Sequence, residues 1–325
     1  MEHDLLRVQN ISKYYGSRKV LDNISINIKQ GEIVGVIGGS GGGKTTLLST
    51  LIGFIQADDG DIKFRQRNLV AGAEDGEEIY RSVFKKKHQF KASYGFASQV
   101  PSFYEKLTVL ENLHYFGQLY GLTQESIKAN ARTLLKLMDL ELSANALAKN
   151  LSGGMERRLD IACALIHNPE MLILDEPTAD LDPILRKNIY DLLKRINKKG
   201  TTIVLASHHL NELETLCTRI AMLKQGAVAE IGSPQEIKEK YLKSHEIIVE
   251  TYPGNYAVLE KKVKKKFKKK IEEVGFTDSS ITIRTEKPQL ILNDIIQLIE
   301  KEEEKILELK LVKPSLDQVF ISMNH

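Results

Sequence analysis

Between positions 38 and 46 the chain reads Gly38-Gly39-Ser40-Gly41-Gly42-Gly43-Lys44-Thr45-Thr46, and residues of these types at this spacing suit the holding of phosphate. Gly38, Gly43, Lys44 and Thr45 fill the fixed places of the pattern G-x-x-x-x-G-K-[ST]. Glycines let successive backbone N–H groups turn inward around an anion without side-chain obstruction. Lys44 is suited to neutralise β- and γ-phosphate charge, and the Thr45 hydroxyl to bind Mg²⁺. A pair of carboxylates, Asp175-Glu176, follows the apolar run Leu172-Ile173-Leu174. At the end of such a strand in an α/β sheet a carboxylate faces the ligand crevice. Asp175 would then hold Mg²⁺, directly or through water, and Glu176 would polarise an attacking water as general base.

These residues need a scaffold, and the flanking pattern supplies one. Ile33, Val34, Val36 and Ile37 predict a buried parallel strand before the glycine loop. Leu47, Leu48, Leu51 and Ile52 predict a helix over 45–54 after it. Strands are also expected at 5–11, through Ile24, Ile26 and Ile28, and through Ile62 and Phe64. Residues 67–90 read either as an exposed surface excursion or as carrying a helix over 77–88, with Ile79, Val83 and Phe84 on one face and Lys85-Lys86-Lys87-His88 at its end. A strand at 94–97 leads to Gln99, and 107–165 reads as mostly helical. Beyond the carboxylates come a helix at 184–197 stopped by Gly200, a strand at 201–207, and a hairpin about Gln225-Gly226. A seam at 242–246 divides the chain into domains 1–242 and 246–325. The second reads as a small α+β unit, β-α-β-α-β, with a helix over 256–274.

Composition narrows the class. The 325 residues are 42% apolar and 27% charged, ordinary for a protein with a real core. A net charge of +3 does not by itself imply a nucleic-acid partner. No apolar run approaches the roughly 18 residues of a membrane span. The start Met1-Glu2-His3-Asp4 lacks the features of a signal peptide, so a cytoplasmic protein is expected. Cys163 and Cys217, outside any Cys/His cluster, are expected to be buried free thiols.

Leu151-Ser152-Gly153-Gly154-Met155 opens a helix with N–H groups exposed to an anion. With this motif the chain resembles the ATP-binding cassette (ABC) ATPases, whose signature is usually written L-S-G-G-Q; here Met155 takes the last place. The resemblance covers about residues 4–240. It implies an α/β fold of the P-loop NTPase type, with a parallel core sheet, an antiparallel β subdomain and a helical signature subdomain. The implied cofactors are ATP and Mg²⁺. Tyr15 matches the aromatic that stacks on adenine, with Tyr14 as competitor. Gln99 matches the glutamine that senses Mg²⁺ and water and links to the membrane partner. Asp182, in Ala179-Asp180-Leu181-Asp182-Pro183, matches the loop that communicates across a dimer. His208 matches the switch histidine near the γ-phosphate, in preference to His209. Glu176, His208, Gln99 and Lys44 are thus the implied catalytic set.

The resemblance further implies a head-to-tail dimer of ATPase domains, homo- or heterodimeric. Ser152, Gly153 and Gly154 of one subunit would meet the γ-phosphate of the ATP held by the other. It implies a separate transmembrane permease, docked near 101–109, with this chain peripheral on the cytoplasmic face of the membrane. Ser152-Gly153-Gly154-Met155-Glu156-Arg157-Arg158-Leu159 and the ending Pro314-Ser315-Leu316-Asp317-Gln318-Val319-Phe320 resemble the export branch. Two departures stand out: the loop is richer in glycine than the family needs, and 67–90 is longer than its usual connection. An ABC-type ATPase acting on ribosomes or nucleic acid is the alternative. Its one support is the run from Lys261 to Lys270, eight lysines in ten residues. Val263, Phe267, Ile271 and Val274 recur there at helical spacing, which makes the lysines the wet face of a helix before a site for anionic lipid or RNA. Residues 246–325 carry fourteen Lys and Arg against fourteen Asp and Glu.

Overall fold

The structure, a computed structural model, describes residues 3–66, 79–85, 90–241, 245–312 and 315–324. By its contacts the chain divides into two units, Met1–Ser233 and Pro234–His325.

The first unit runs β1 (Asp4–Tyr15), β2 (Arg18–Lys29), β3 (Ile33–Gly38), α1 (Lys44–Leu51), β4 (Asp59–Gln66), β5 (Ile79–Ser82) and β6 (Tyr94–Ala97). It continues with α2 (Val109–Leu119), α3 (Gln124–Leu137), α4 (Gly153–Leu165), β7 (Met171–Asp175), α5 (Pro183–Asn197), β8 (Thr202–Ala206), α6 (Leu210–Leu216), β9 (Arg219–Lys224) and β10 (Ala227–Gly232). One sheet, in the order β2-β1-β4-β5, is antiparallel. The other, β10-β9-β3-β8-β7-β6, is parallel except for β10. Both contribute to one apolar core, with Leu47, Leu48 and Leu51 of α1 in it.

The sequence explains the central strands. β3, β7 and β8 are buried along their whole length, which is why they read as unbroken apolar runs rather than alternations. Their register decides where the chemistry falls. Ala206 pairs with Val36 on one side and Asp175 on the other. The glycine loop, the two carboxylates and the histidines therefore leave the sheet at one level, at the carboxyl ends of the strands. The hairpin at Gln225-Gly226 forms as expected, both turn residues having positive φ (52° and 82°). Cys163 and Cys217 are buried free thiols.

One local expectation fails within 67–90. In place of the helix over 77–88, residues 79–82 form β5, antiparallel to β4 with Arg65 opposite Tyr80. Val83 follows, buried, its N–H donating to the Ile62 carbonyl at 2.9 Å. The open edge of β4 offers a ladder that strand-forming Ile79 and Tyr80 can join, and that tertiary pairing outweighs the helical spacing. The rest of the expected helix, 77–78 and 86–88, lies outside the described residues.

The second unit runs α7 (Pro234–Tyr241), β11 (His245–Tyr252), α8 (Tyr256–Phe267), β12 (Glu273–Phe276), β13 (Ile281–Thr285), α9 (Leu292–Lys301), β14 (Lys305–Val312) and α10 (Leu316–Asn324). The sheet order is β12-β13-β11-β14, the arrangement of a β-α-β-β-α-β unit with one strand more than expected. The helix expected over 256–274 stops at Phe267, and Val274 instead pairs with Ile283. Gly275 disfavours helix, and Val274 is buried between exposed Glu273 and Gly275, the alternation of a strand. The unit also begins one helix earlier than the polar seam at 242–246 suggested. α7 packs with α10, and the break falls at Gly232-Ser233-Pro234. Tyr256, Leu259, Val263 and Phe267 are the buried stripe of α8. On its lysine face Lys262 pairs with Glu302, and Lys264 with Glu260 at 2.7 Å.

Candidate active site

A cleft of about 490 Å³ opens over the glycine loop, lined by Tyr15, Arg18, Val20, the loop from Ser40 to Thr46, Gln99, Glu176 and His208. Its size is that of a small-molecule site. The loop is shaped by the chain around it. Gly43, the N-cap of α1, has φ 92°, and a Cβ there would sit 2.8 Å from the Val20 carbonyl oxygen. A Cβ on Gly39 would meet nothing within 4 Å, so not every glycine of the run is sterically required. Gly42 N–H donates to the Gly39 carbonyl at 3.0 Å, closing the turn. Lys44 Nζ donates to the carbonyls of Gly38 (2.9 Å) and Gly39 (3.4 Å) and so lies across the loop. α1 begins at Lys44, which puts the positive end of its dipole at the cleft.

The carboxylates behave differently from each other. Asp175 is buried, and its Oδ1 has no hydrogen-bond partner among the described residues. Burial raises its pKa, opposed by the Thr45 hydroxyl and by the charges of Lys44 and Arg157. An orphaned hard oxygen beside a threonine hydroxyl and a lysine fits Mg²⁺, which takes one or two protein ligands and leaves the rest to phosphate and water. Glu176 is fixed through its backbone, at φ 48°. Its N–H donates to the Ala206 carbonyl at 3.0 Å, and its carbonyl accepts from Arg157 Nη2 at 3.0 Å. Its Oε2 lies 2.8 Å from His208 Nδ1. The neighbouring His209 ring instead meets Arg186 Nη1 at 3.0 Å, and burial lowers its pKa. Of the two tyrosines weighed for a stacking role, Tyr15 lines the cleft.

The family description "ABC transporter" matches residues 21–179, and "ATP-binding protein DrrA1-3-like, C-terminal domain" matches 232–323. Linearmycin resistance ATP-binding protein LnrL of Bacillus subtilis (strain 168) is 36% identical over 233 residues, 72% of this chain and 70% of that protein. The chain belongs to the ABC transporter family of ATP-binding proteins. Nod factor export ATP-binding protein I of Cupriavidus metallidurans is 34% identical, over 72% of each chain. Among solved structures, cbiO1 from Clostridium perfringens, part of the ABC transporter complex cbiONQ, superposes with TM-score 0.64 at 26% identity, covering 82% of this chain and 96% of that one. As an ABC ATP-binding protein the chain binds and hydrolyses ATP.

The cassette does not gather every expected residue into its cleft. Ser152 is the N-cap of α4, with no side-chain cap bond, and neither it nor Gly153 or Gly154 lines the cleft. Gly154 packs on α5, where a Cβ would meet Leu185 at 3.0 Å. Asp182 also stands outside it; its carboxylate caps α5, accepting from the N–H groups of Ile184 (2.9 Å) and Leu185 (3.0 Å). Three residues went unread. Arg18 and Val20 line the cleft, and Arg18 Nη2 lies 3.4 Å from the Gly41 carbonyl. Arg157 is buried behind the site and bonds the Glu176 backbone. Its one sequence signal is an acid three residues on, Asp160, in an otherwise apolar stretch.

Proposed function

We propose that this ABC ATPase drives export through a separate transmembrane subunit, and works as a head-to-tail pair in which Ser152, Gly153 and Gly154 of each copy complete the cleft of the other. The observation that carries this is the division of the motifs. Lys44, Thr45, Gln99, Glu176 and His208 line one cleft, while the N-terminus of α4 opens elsewhere with its cap unused. An uncapped helix N-terminus is an anion site awaiting an anion. In the closed pair each γ-phosphate has a glycine loop on one side and that helix on the other. A homodimer carries two such sites.

The roles of the chain's own groups follow. The glycine loop and Lys44 hold the phosphates, and Tyr15 presents a ring face to the base. Thr45, Asp175 and Gln99 would hold Mg²⁺, which would supply positive charge to neutralise the phosphates. Glu176 takes the proton of the attacking water at its carboxylate, and His208, at 2.8 Å from Oε2, fixes that carboxylate. Asp182 steadies α5 beside Gly154. Among the described residues no helix is long and apolar enough to cross a membrane. A permease supplies the path, with residues 101–109 after Gln99 as the place it docks. The outward direction rests on the likeness to a Nod factor export ATP-binding protein. Affinity purification of the tagged chain from native membranes, followed by flux measurement in vesicles, tests this. An integral membrane protein that co-purifies and moves solute outward, away from the ATP side, is the expected result. Co-purification with ribosomes, or ATP-driven inward flux, contradicts it.

A further inference from the structure

We infer that Arg157 and Asp160 form a buried clamp that positions Gln99 and Glu176 for hydrolysis. The inference rests on the roles proposed above for those two residues. Both members of the pair lie on α4, three residues apart, one turn beyond the Ser152 N-cap. Arg157 is 5% exposed and Asp160 1%. The guanidinium donates to main-chain oxygens of three residues in two separate turns. Nη1 donates to the Ser98 carbonyl at 2.7 Å, and Nη2 to the carbonyls of Gln99 (3.1 Å) and Glu176 (3.0 Å). Nη1 also lies 3.3 Å from Asp160 Oδ2. The other carboxylate oxygen of Asp160 accepts from the N–H (2.9 Å) and hydroxyl (3.0 Å) of Ser102.

Taking a cation and a carboxylate this far from water costs several kcal/mol, which core packing alone does not require. The pair achieves what apolar side chains cannot. It ties the turn after β6, the turn after β7 and the segment beginning at Ser102 to one helix. Because it grips the backbone at 99 and 176, it leaves the Gln99 amide and the Glu176 carboxylate free to act. Only a planar fork with several donors reaches these carbonyls at once; an ammonium on the same stem keeps the charge and loses the span. Glu176, held at φ 48°, has its peptide anchored on one side by Ala206 and on the other by Arg157. Arg157 is thus a positioning residue, acting on the water through Glu176.

The test is Arg157→Lys in the full chain, with kcat, KM for MgATP and melting temperature measured together. A misplacement of about 1 Å at the reacting groups costs about 10- to 100-fold in rate, so kcat is expected to fall by that factor while KM stays within about twofold. A kcat within about twofold of wild type overturns the clamp, and so does a KM that rises while kcat holds. Should that variant not fold, Asp160→Asn, which keeps the shape and the Ser102 contacts, is measured instead, with the same split expected. A cycle with Glu176→Gln separates this inference from the reading it rests on. If Glu176→Gln hydrolyses ATP normally, the general-base reading falls. If Glu176→Gln is slow and Arg157→Lys slows both it and Gln99→Ala by the full further factor, Arg157 acts through neither residue and the clamp falls; a smaller further slowing in either supports it.

Discussion

Replacing Glu176 by Gln is expected to stall turnover and leave nucleotide binding intact. The substitution spares the anchoring of the residue. Position 176 is anchored by its backbone, to Ala206 and Arg157 at 3.0 Å each, and neither bond involves the side chain. Its positive φ of 48° strains Gln no more than Glu. An amide oxygen can still meet His208 Nδ1 across the 2.8 Å now bridged by Oε2. The glycine loop and Lys44, proposed to hold the phosphates, are untouched. What disappears is a proton acceptor. General-base catalysis contributes about 10²- to 10⁴-fold, or about 2.7–5.4 kcal/mol of barrier at 1.36 kcal/mol per decade. The assay is phosphate release at saturating MgATP beside an equilibrium nucleotide titration, on wild type and variant. The expected pair of results is a kcat lower by at least about 100-fold and an unchanged affinity. A kcat within about threefold of wild type would mean that the water is activated elsewhere, and a lost affinity would mean that Glu176 serves binding.

Lys44→Ala removes a charge-assisted donor worth about 1.5–3 kcal/mol, so ATP affinity should fall by at least about tenfold in calorimetry; retained affinity contradicts the loop assignment. Asp182→Ala deletes the α5 cap, and should cost about 1 kcal/mol and lower the melting temperature of the cassette by about 2–4 °C; an unmoved transition means that the cap is redundant. His167, with Nε2 at 2.9 Å from the Tyr94 carbonyl and its ring stacked on Tyr120, has its pKa pushed by burial from 6.5 to about 4. The unfolded chain therefore takes up this proton first. The contribution is full above pH 6.5 and is lost as pH falls through about 4. Melting temperature measured from pH 7 to 4 should fall less steeply in His167→Gln, and an identical slope refutes this.

The cleft was legible because its chemistry ties residue type to spacing beside apolar strands. Gly38 to Thr46 follows β3, Asp175-Glu176 ends β7, and His208 lies just beyond β8. Parallel pairing then brings those three strand ends together whatever the rest of the chain does. What escaped was set by tertiary partners. β5 exists because β4 has a free edge, and β12 because β13 has one. The periodicity of Ile79 and Val83, or of Phe267 and Val274, carries no record of those neighbours. The seam shifted because α7 packs onto a helix some eighty residues further along the chain. Arg157 was unreadable for a related reason: an arginine on a helix is ordinarily a surface residue, and only the fold surrounds this one with carbonyls. Asp182 shows the reverse. Its family likeness suggested communication across a dimer, while within the chain its carboxylate caps α5.

Subunit mixing decides whether the ATP site is shared between two copies. Lys44→Ala disables the cleft of its own chain, and Ser152→Arg disables the helix N-terminus offered to the other. Each variant alone should be inactive. In a mixed dimer one site collects both defects and the other has none, so an equal mixture should recover about one quarter of the wild-type ATPase activity. A mixture as inactive as its parts would show that the glycine loop and Ser152 act within one chain, and the shared site would have to be abandoned.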